Sequence, residues 1–241
     1  MKKEYWIILL AYIGMQFSSL IGLPLIYLIG SLFGYQKEAI QLPGVVIWLL
    51  FSFAVTLIIT LVLLRKEVTT PLRNEAANIS TSIGWAIGGI FLSLFAQSMA
   101  GMVENLFGIN AGSENTARLM KIVEFSPIII IVISIIGPIL EEIVFRKIIF
   151  GALYKRLNFF LSALISSVIF AIAHSELVHI LLYTSMGFTF AFLYVKTKRI
   201  LIPIFAHVSM NTLVVIIQLN QEHLQKWLEQ SNQISHFIGG F

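Results

Sequence analysis

Cysteine is absent from the 241 residues, which excludes disulfides, thiolate metal sites and a cysteine nucleophile. Charge is scarce as well: 12% of residues are charged against 58% hydrophobic, with a mean hydropathy of +0.90. A soluble domain is nearer 45–50% apolar and about 25% charged. Too little polar surface remains to cover a water-facing globule, so membrane residence follows before any motif is read. The net charge of +4 does not indicate a nucleic-acid partner, because the basic residues lie in short loops between apolar runs. That is the pattern of membrane orientation, and the expected surroundings are a lipid bilayer.

Internal repeats, low-complexity stretches and long extramembrane connections are also lacking. The longest connections, about Arg65–Thr81 and Phe107–Pro127, are too short for a separate soluble domain. Residues 1–241 therefore read as one all-α, polytopic transmembrane bundle. A span needs about 20 apolar residues. Seven candidates follow, within a range of six to eight: Trp6–Leu32, Val45–Leu64, Ser82–Leu106, Ile128–Tyr154, Phe159–His174, Leu177–Val195 and Ile200–Leu219. The apolar N-terminal run outlasts a signal-peptide core and ends in no convincing cleavage site, so it reads as a retained first helix. Gly22 and Pro24 predict a kink or division within it, and Gly84-x-x-x-Gly88 is a helix-packing signal.

Ten of the 16 basic residues fall on one side if the N-terminus is cytoplasmic: Lys2, Lys3, Arg65, Lys66, Arg73, Lys155, Arg156, Lys196, Lys198 and Arg199. The positive-inside rule then gives a cytoplasmic N-terminus and an outer C-terminus. The tail Gln221–Phe241 is mixed in polarity and reads as a surface helix.

Charged groups cost about 2.5–3.5 kcal/mol each in a helix at the bilayer centre, so those that occur there mark function by default. The fourth span carries Glu141, Glu142 and Arg146. Glu142 and Arg146 stand one turn apart and can pair, which leaves Glu141, about 100° around the helix, free for chemistry. The fifth span ends Phe170-Ala-Ile-Ala-His174, and the seventh holds His207-Val-Ser-Met-Asn211. At about 1.5 Å per residue the four groups Glu141, His174, His207 and Asn211 reach overlapping depths, provided the fourth helix runs through to Tyr154.

A carboxylate and an imidazole can share a water and take its proton. An imidazole with an amide one turn on can donate to a developing oxyanion. The competing assignment makes Glu141, His174 and His207 ligands of a zinc ion. No HExxH occurs, and His174-Ser-Glu-Leu-Val-His179 has the wrong spacing, so the metal-free version is preferred with no cofactor expected. His179, Glu176 and Ser175 sit near a helix end, where polarity is ordinary, and receive no role. Ser209 lies on a different face from His207, which disfavours a serine-protease reading.

Three patterns, Glu-Glu-x-x-x-Arg at Glu141–Arg146, Phe-x-x-x-His at Phe170–His174 and His-x-x-x-Asn at His207–Asn211, follow one another on successive apolar spans. In order and setting they resemble the CPBP (Abi) family of CAAX prenyl endopeptidases and bacteriocin-processing or self-immunity proteins, over about Pro127–Leu219. The resemblance implies an intramembrane endopeptidase acting on membrane-associated proteins or peptides. By the same resemblance Glu141 and His174 would activate water, His207 and Asn211 would form the oxyanion site, and Glu142 with Arg146 would support the structure. Phe170 would pack or line a substrate pocket. Members have been described both as metalloproteases and as glutamate-dependent proteases, which leaves zinc open. The short loops look bacterial, which points to a bacterial cell membrane and away from a prenylated substrate. The alternatives are a non-catalytic immunity or regulatory protein using the polar cluster for binding, and a small transporter using it as a proton relay.

Overall fold

The computed structural model describes residues 1–68, 76–110, 112–221, 223 and 225–227. Arg73, and the tail beyond Trp227 that was assigned to a surface helix, lie outside them. No strand occurs among the described residues. Among the described residues nine helical segments follow one another: α1 (Lys3–Phe17), α2 (Ser19–Leu32), α3 (Lys37–Val68), α4 (Ile79–Leu106), α5 (Glu114–Phe125), α6 (residues 129–153), α7 (Phe159–Ala173), α8 (Ile180–Thr197) and α9 (Leu201–Leu219).

Four helical stretches are long and apolar enough to cross a membrane: Lys37–Arg65, Ile79–Leu106, Leu177–Thr197 and Leu201–Leu219. The pair α1 and α2, bent by 50°, makes a fifth if taken as one span. Of the seven expected spans, the remaining two are α6, a succession of α and π turns, and α7, whose 15 residues are fewer than a perpendicular crossing needs. Large apolar side chains such as Leu20, Ile21, Phe91, Phe95 and Phe160 point outward, as they would in lipid.

The bend in the first apolar run lies at Ser18 and not at Gly22 or Pro24. Ser18 Oγ turns back to donate to the Met15 carbonyl (2.7 Å) and accepts from Trp48 Nε1 (2.9 Å), so the break is pinned by α3. Pro24 lies within a continuous α2. Gly22 serves close approach, since a Cβ there would collide with the Trp48 indole.

In the bundle, α8 packs against α4 and α7, and α9 packs against α4. Gly187 on α8 lets the Ser167 side chain of α7 come close enough that a Cβ would lie 2.8 Å from it. On α4 the contact is made by Gly89, whose added Cβ would lie 2.7 Å from Leu193 Cδ1 and 3.4 Å from Ala206 Cβ. Gly84 and Gly88, the pair expected to pack, have no neighbour within 4 Å of such a Cβ. The packing glycine is therefore one residue away from the motif, on another face.

At the end of the bundle carrying the N-terminus, Glu67 joins three elements. Its carboxylate meets Lys2 Nζ (2.7 Å), Lys147 Nζ (2.9 Å) and the Tyr5 hydroxyl (3.0 Å). Burial pushes its carboxyl upward, but the two ammonium groups and the phenol outweigh that and hold it at about 2. This end is thus fixed to the charged helix α6.

Gly89→Val is expected to lower stability by about 1–3 kcal/mol through overpacking against the buried Leu193. Gly84→Ala and Gly88→Ala are expected to be neutral or slightly stabilising. Thermal unfolding in detergent separates the two sets, and equal losses at all three positions would contradict the packing described.

Candidate active site

Helix α6 carries four charged groups, Glu141, Glu142, Arg146 and Lys147, and is not a plain α-helix. It runs as a π turn over Val132–Ile136, an α turn over Gly137–Glu141 and a longer π stretch over Glu142–Phe150. Single π turns inside helices recur at functional sites. Here their cause is partly legible. In the π register Gly137 N–H bonds the Val132 carbonyl, so the next donor in line, for the Ile133 carbonyl, would be Pro138. Proline has no N–H. The Asn211 amide of α9 reaches that carbonyl instead, at 3.4 Å. Lower in the same helix the Ser166 hydroxyl of α7 donates to the Phe145 carbonyl at 2.7 Å.

The charged side chains form a chain of contacts. Arg146 Nε lies 3.2 Å from Glu142 Oε2, both groups fully enclosed. The contact is one of charge and not an aligned hydrogen bond, since neither atom has a hydrogen-bond partner among the described residues. Glu142 Oε1 accepts from His207 Nδ1 at 2.9 Å. His207 Nε2 then faces Glu141 Oε2 at 3.7 Å, a contact of charge rather than a hydrogen bond. Glu142 thus holds both Arg146 and His207, while Glu141 stands at the end of the chain with 18% of its side chain exposed.

Aromatic rings enclose these groups. The Arg146 guanidinium lies 4.3 Å from the Phe170 ring centroid and 5.3 Å from that of Phe190. Its terminal nitrogens have no hydrogen-bond partner among the described residues, and the electron-rich ring faces attract the cation beside the Glu142 carboxylate. Phe190 also stacks on His207, with centroids 4.6 Å apart and planes 20° apart. Phe170 meets both imidazoles in T-shaped contacts, with centroids 4.5 Å apart for His174 and 6.0 Å for His207. It is therefore the wall between the two histidines and is itself wholly buried.

His174 caps the end of α7, and its Nδ1 lies 2.9 Å from the Phe170 carbonyl. A carbonyl only accepts, so Nδ1 carries the hydrogen and Nε2 is left with its lone pair. The structure gathers Glu141, Glu142, Arg146, Phe170 and His207 directly. His174 joins through Phe170, and Asn211 joins through the Ile133 carbonyl of α6. No hydrogen bond or ion pair among the described residues links His174 to Glu141.

Phe190 and Tyr183, which stack on the two histidines from α8, belong to none of the three sequence patterns. Their only signal is a spacing of seven on one apolar span, which puts both on one face. Glu104, His179 and Glu176 form a second polar cluster beyond His174. His179 Nδ1 contacts Glu104 Oε2 at 2.7 Å, and Glu176 accepts from Ser113 Oγ at 2.6 Å.

Two imidazole Nε2 atoms and the Glu141 carboxylate are zinc-type donors, and each imidazole has its Nδ1 engaged, as ligating histidines do. In the arrangement present, however, no three histidine, aspartate or glutamate side chains among the described residues are gathered as a metal ion requires. The residues as placed do not fit zinc, and no chemical step is derived through it.

Apolar helical spans and an enclosed carboxylate–imidazole–guanidinium cluster, with no strand among the described residues, define a helical membrane protein with a buried polar site. A family model described as "Type II CAAX prenyl endopeptidase Rce1-like" matches residues 123–213, a stretch that contains all seven site residues. The Bacillus subtilis protein named "Putative membrane peptidase YdiL" is 52% identical over 243 residues, covering 100% of this chain and 99% of that protein. The Staphylococcus aureus "Membrane-embedded CAAX protease MroQ" is 37% identical over 217 residues, covering 84% of this chain and 87% of that protein. No solved structure matches the chain at a significant level. The chain belongs to the Rce1-like CAAX protease (CPBP) family of membrane peptidases.

Removing one member of a buried ion pair costs about 3–5 kcal/mol, whereas replacing both with apolar groups costs far less. Arg146→Met is accordingly expected to be strongly destabilising, and Glu142→Leu/Arg146→Met to recover part of the loss. Unfolding midpoints in detergent check this; a double variant no better than the single would contradict the enclosed pair.

Proposed function

We propose that this peptidase hydrolyses peptide bonds of membrane-associated proteins or peptides inside the bundle, by a water activated between Glu141 and His174. The observation that carries the reading is the division of labour between adjacent carboxylates. Glu142 is consumed by Arg146 and His207, while Glu141 keeps partial exposure and its side chain has no hydrogen bond among the described residues.

The steps follow from the groups present. Glu141 takes a proton from water, whose oxygen attacks the scissile carbonyl carbon, with the His174 Nε2 lone pair holding the water's second hydrogen. The carbonyl π electrons move to oxygen. His207 and the second N–H of the Asn211 amide donate to that oxyanion, the first N–H being engaged by Ile133. The tetrahedral species then collapses, the C–N bond breaks, and the proton on Glu141 passes to the departing amine.

Charge balance supports the arrangement. Two carboxylates and one guanidinium leave one negative charge in excess, which is costly in a low-dielectric bundle. A hydrogen on His207 Nε2, which the oxyanion site needs while Nδ1 serves Glu142, would offset it. The same reading keeps the N-terminus on the cytoplasmic side of a bacterial membrane, a membrane-bound protein or peptide as partner, and no metal.

Purified wild-type chain and Glu141→Gln, incubated in detergent with a membrane-peptide library, test this directly. Cleavage is expected to fall at least about 100-fold in the variant and to be indifferent to chelator. Wild-type rates in Glu141→Gln would overturn the reading. Chelator sensitivity reversed by zinc would instead gather Glu141, His174 and His207 around a metal.

A further inference from the structure

His174 occupies an awkward place for a catalytic group. It is the C-cap just past α7, and the chain turns sharply after it: Ser175 adopts a φ of 57°, a left-handed conformation that non-glycine residues rarely hold. No following helical turn limits its ring, so its orientation depends on the contacts around it. The Nδ1 bond to the Phe170 carbonyl fixes one direction, and the Phe170 ring closes one side. The other face is covered by Tyr183 of α8, with centroids 4.1 Å apart and planes 27° apart.

Tyr183 is itself anchored. Its hydroxyl donates to Glu176 Oε2 at 3.0 Å. The same oxygen accepts from Ser113 Oγ at 2.6 Å, and the Asn115 amide approaches the other at 3.5 Å. Glu176 lies two residues past His174, within the turn that Ser175 opens. The start of α5, the turn after α7 and the first turns of α8 therefore converge on one phenol, whose ring lies flat on the imidazole. The hydroxyl hydrogen is engaged by a carboxylate, so Tyr183 has no proton to give the reaction.

From this we infer that Tyr183, held by Glu176, is a positioning residue for His174: it keeps the imidazole in the plane where Nδ1–H meets the Phe170 carbonyl and Nε2 faces the site. The inference rests on the functional reading only in giving His174 a part in catalysis; the geometry it describes is independent. Glu176, which sequence reasoning leaves without a role, becomes the anchor of that geometry.

The test uses the full chain in detergent micelles, labelled with 15N at histidine, with the His174 signals assigned by their loss in His174→Gln. Wild type is expected to show the single tautomer with hydrogen on Nδ1. Tyr183→Leu, which removes the stack, is expected to show a mixture of tautomers at His174 with the other histidines unchanged. With a library peptide that the wild type cleaves, kcat is expected to fall about 10-fold with KM held within about twofold, as misorientation without lost binding requires. Tyr183→Phe keeps the ring and is expected to lie between the two. Wild-type His174 signals in Tyr183→Leu would overturn the inference. If that variant does not fold, wild-type His174 signals in both Tyr183→Phe and Glu176→Gln overturn it equally. Failure of the functional reading is separate, since it is read as full cleavage by Glu141→Gln whatever the histidine spectrum.

Discussion

A guanidinium enclosed among phenylalanines, with none of its surface in water, must be neutralised within the bundle. Arg146 imposes that constraint here, and Glu142 meets it from the same helix. The carboxylate so fixed has a second oxygen to satisfy, and His207 supplies it from α9. Phe170 of α7 and Phe190 of α8 complete the enclosure through their ring faces. Four helices are thus committed to one charged group. The same commitment sets the orientation of the imidazole that faces Glu141.

The backbone of α6 adds a second set of ties. Pro138 leaves the Ile133 carbonyl without its in-register donor, which Asn211 of α9 replaces, and Ser166 of α7 donates to the Phe145 carbonyl. Those two helices also bring His174 and His207. Satisfying the irregular helix and assembling the site are therefore one act of packing, since each helix that supplies a reactive group is bonded to α6 nearby. Glu67 with Lys147 holds α6 at the end carrying the N-terminus, and the Glu176–Tyr183 contact holds His174 at the other.

Much of this was legible before the structure. Apolar runs indicate helices and a membrane, and three spaced polar patterns name Glu141, Glu142, Arg146, Phe170, His174, His207 and Asn211. What periodicity cannot report is the partner across the helix. It puts His207 on one face with Asn211, but not against Glu142. Pro24 does not mark the bend, nor do Gly84 and Gly88 mark the close packing. Pro24 lies within an unbroken α2, while Ser18, an ordinary residue in sequence, makes the bend because Trp48 donates to it. Gly84 and Gly88 match a packing motif yet face outward, and Gly89 beside them takes the contact. Tyr183 and Phe190 were invisible because aromatic residues on an apolar span are indistinguishable from packing until their rings are seen against the histidines. The π turns were equally hidden, as no composition distinguishes them from α-helix.

The central claim is that one buried contact, Glu142 with His207, joins the structural ion pair to the reactive end of the site. A double-mutant cycle with Glu142→Gln, His207→Gln and the combined variant, followed by unfolding in detergent, measures that contact alone. The account predicts a coupling of at least about 1 kcal/mol, within the range found for residues sharing a buried network. Additivity to within about 0.3–0.5 kcal/mol, the behaviour of independent sites, would contradict it.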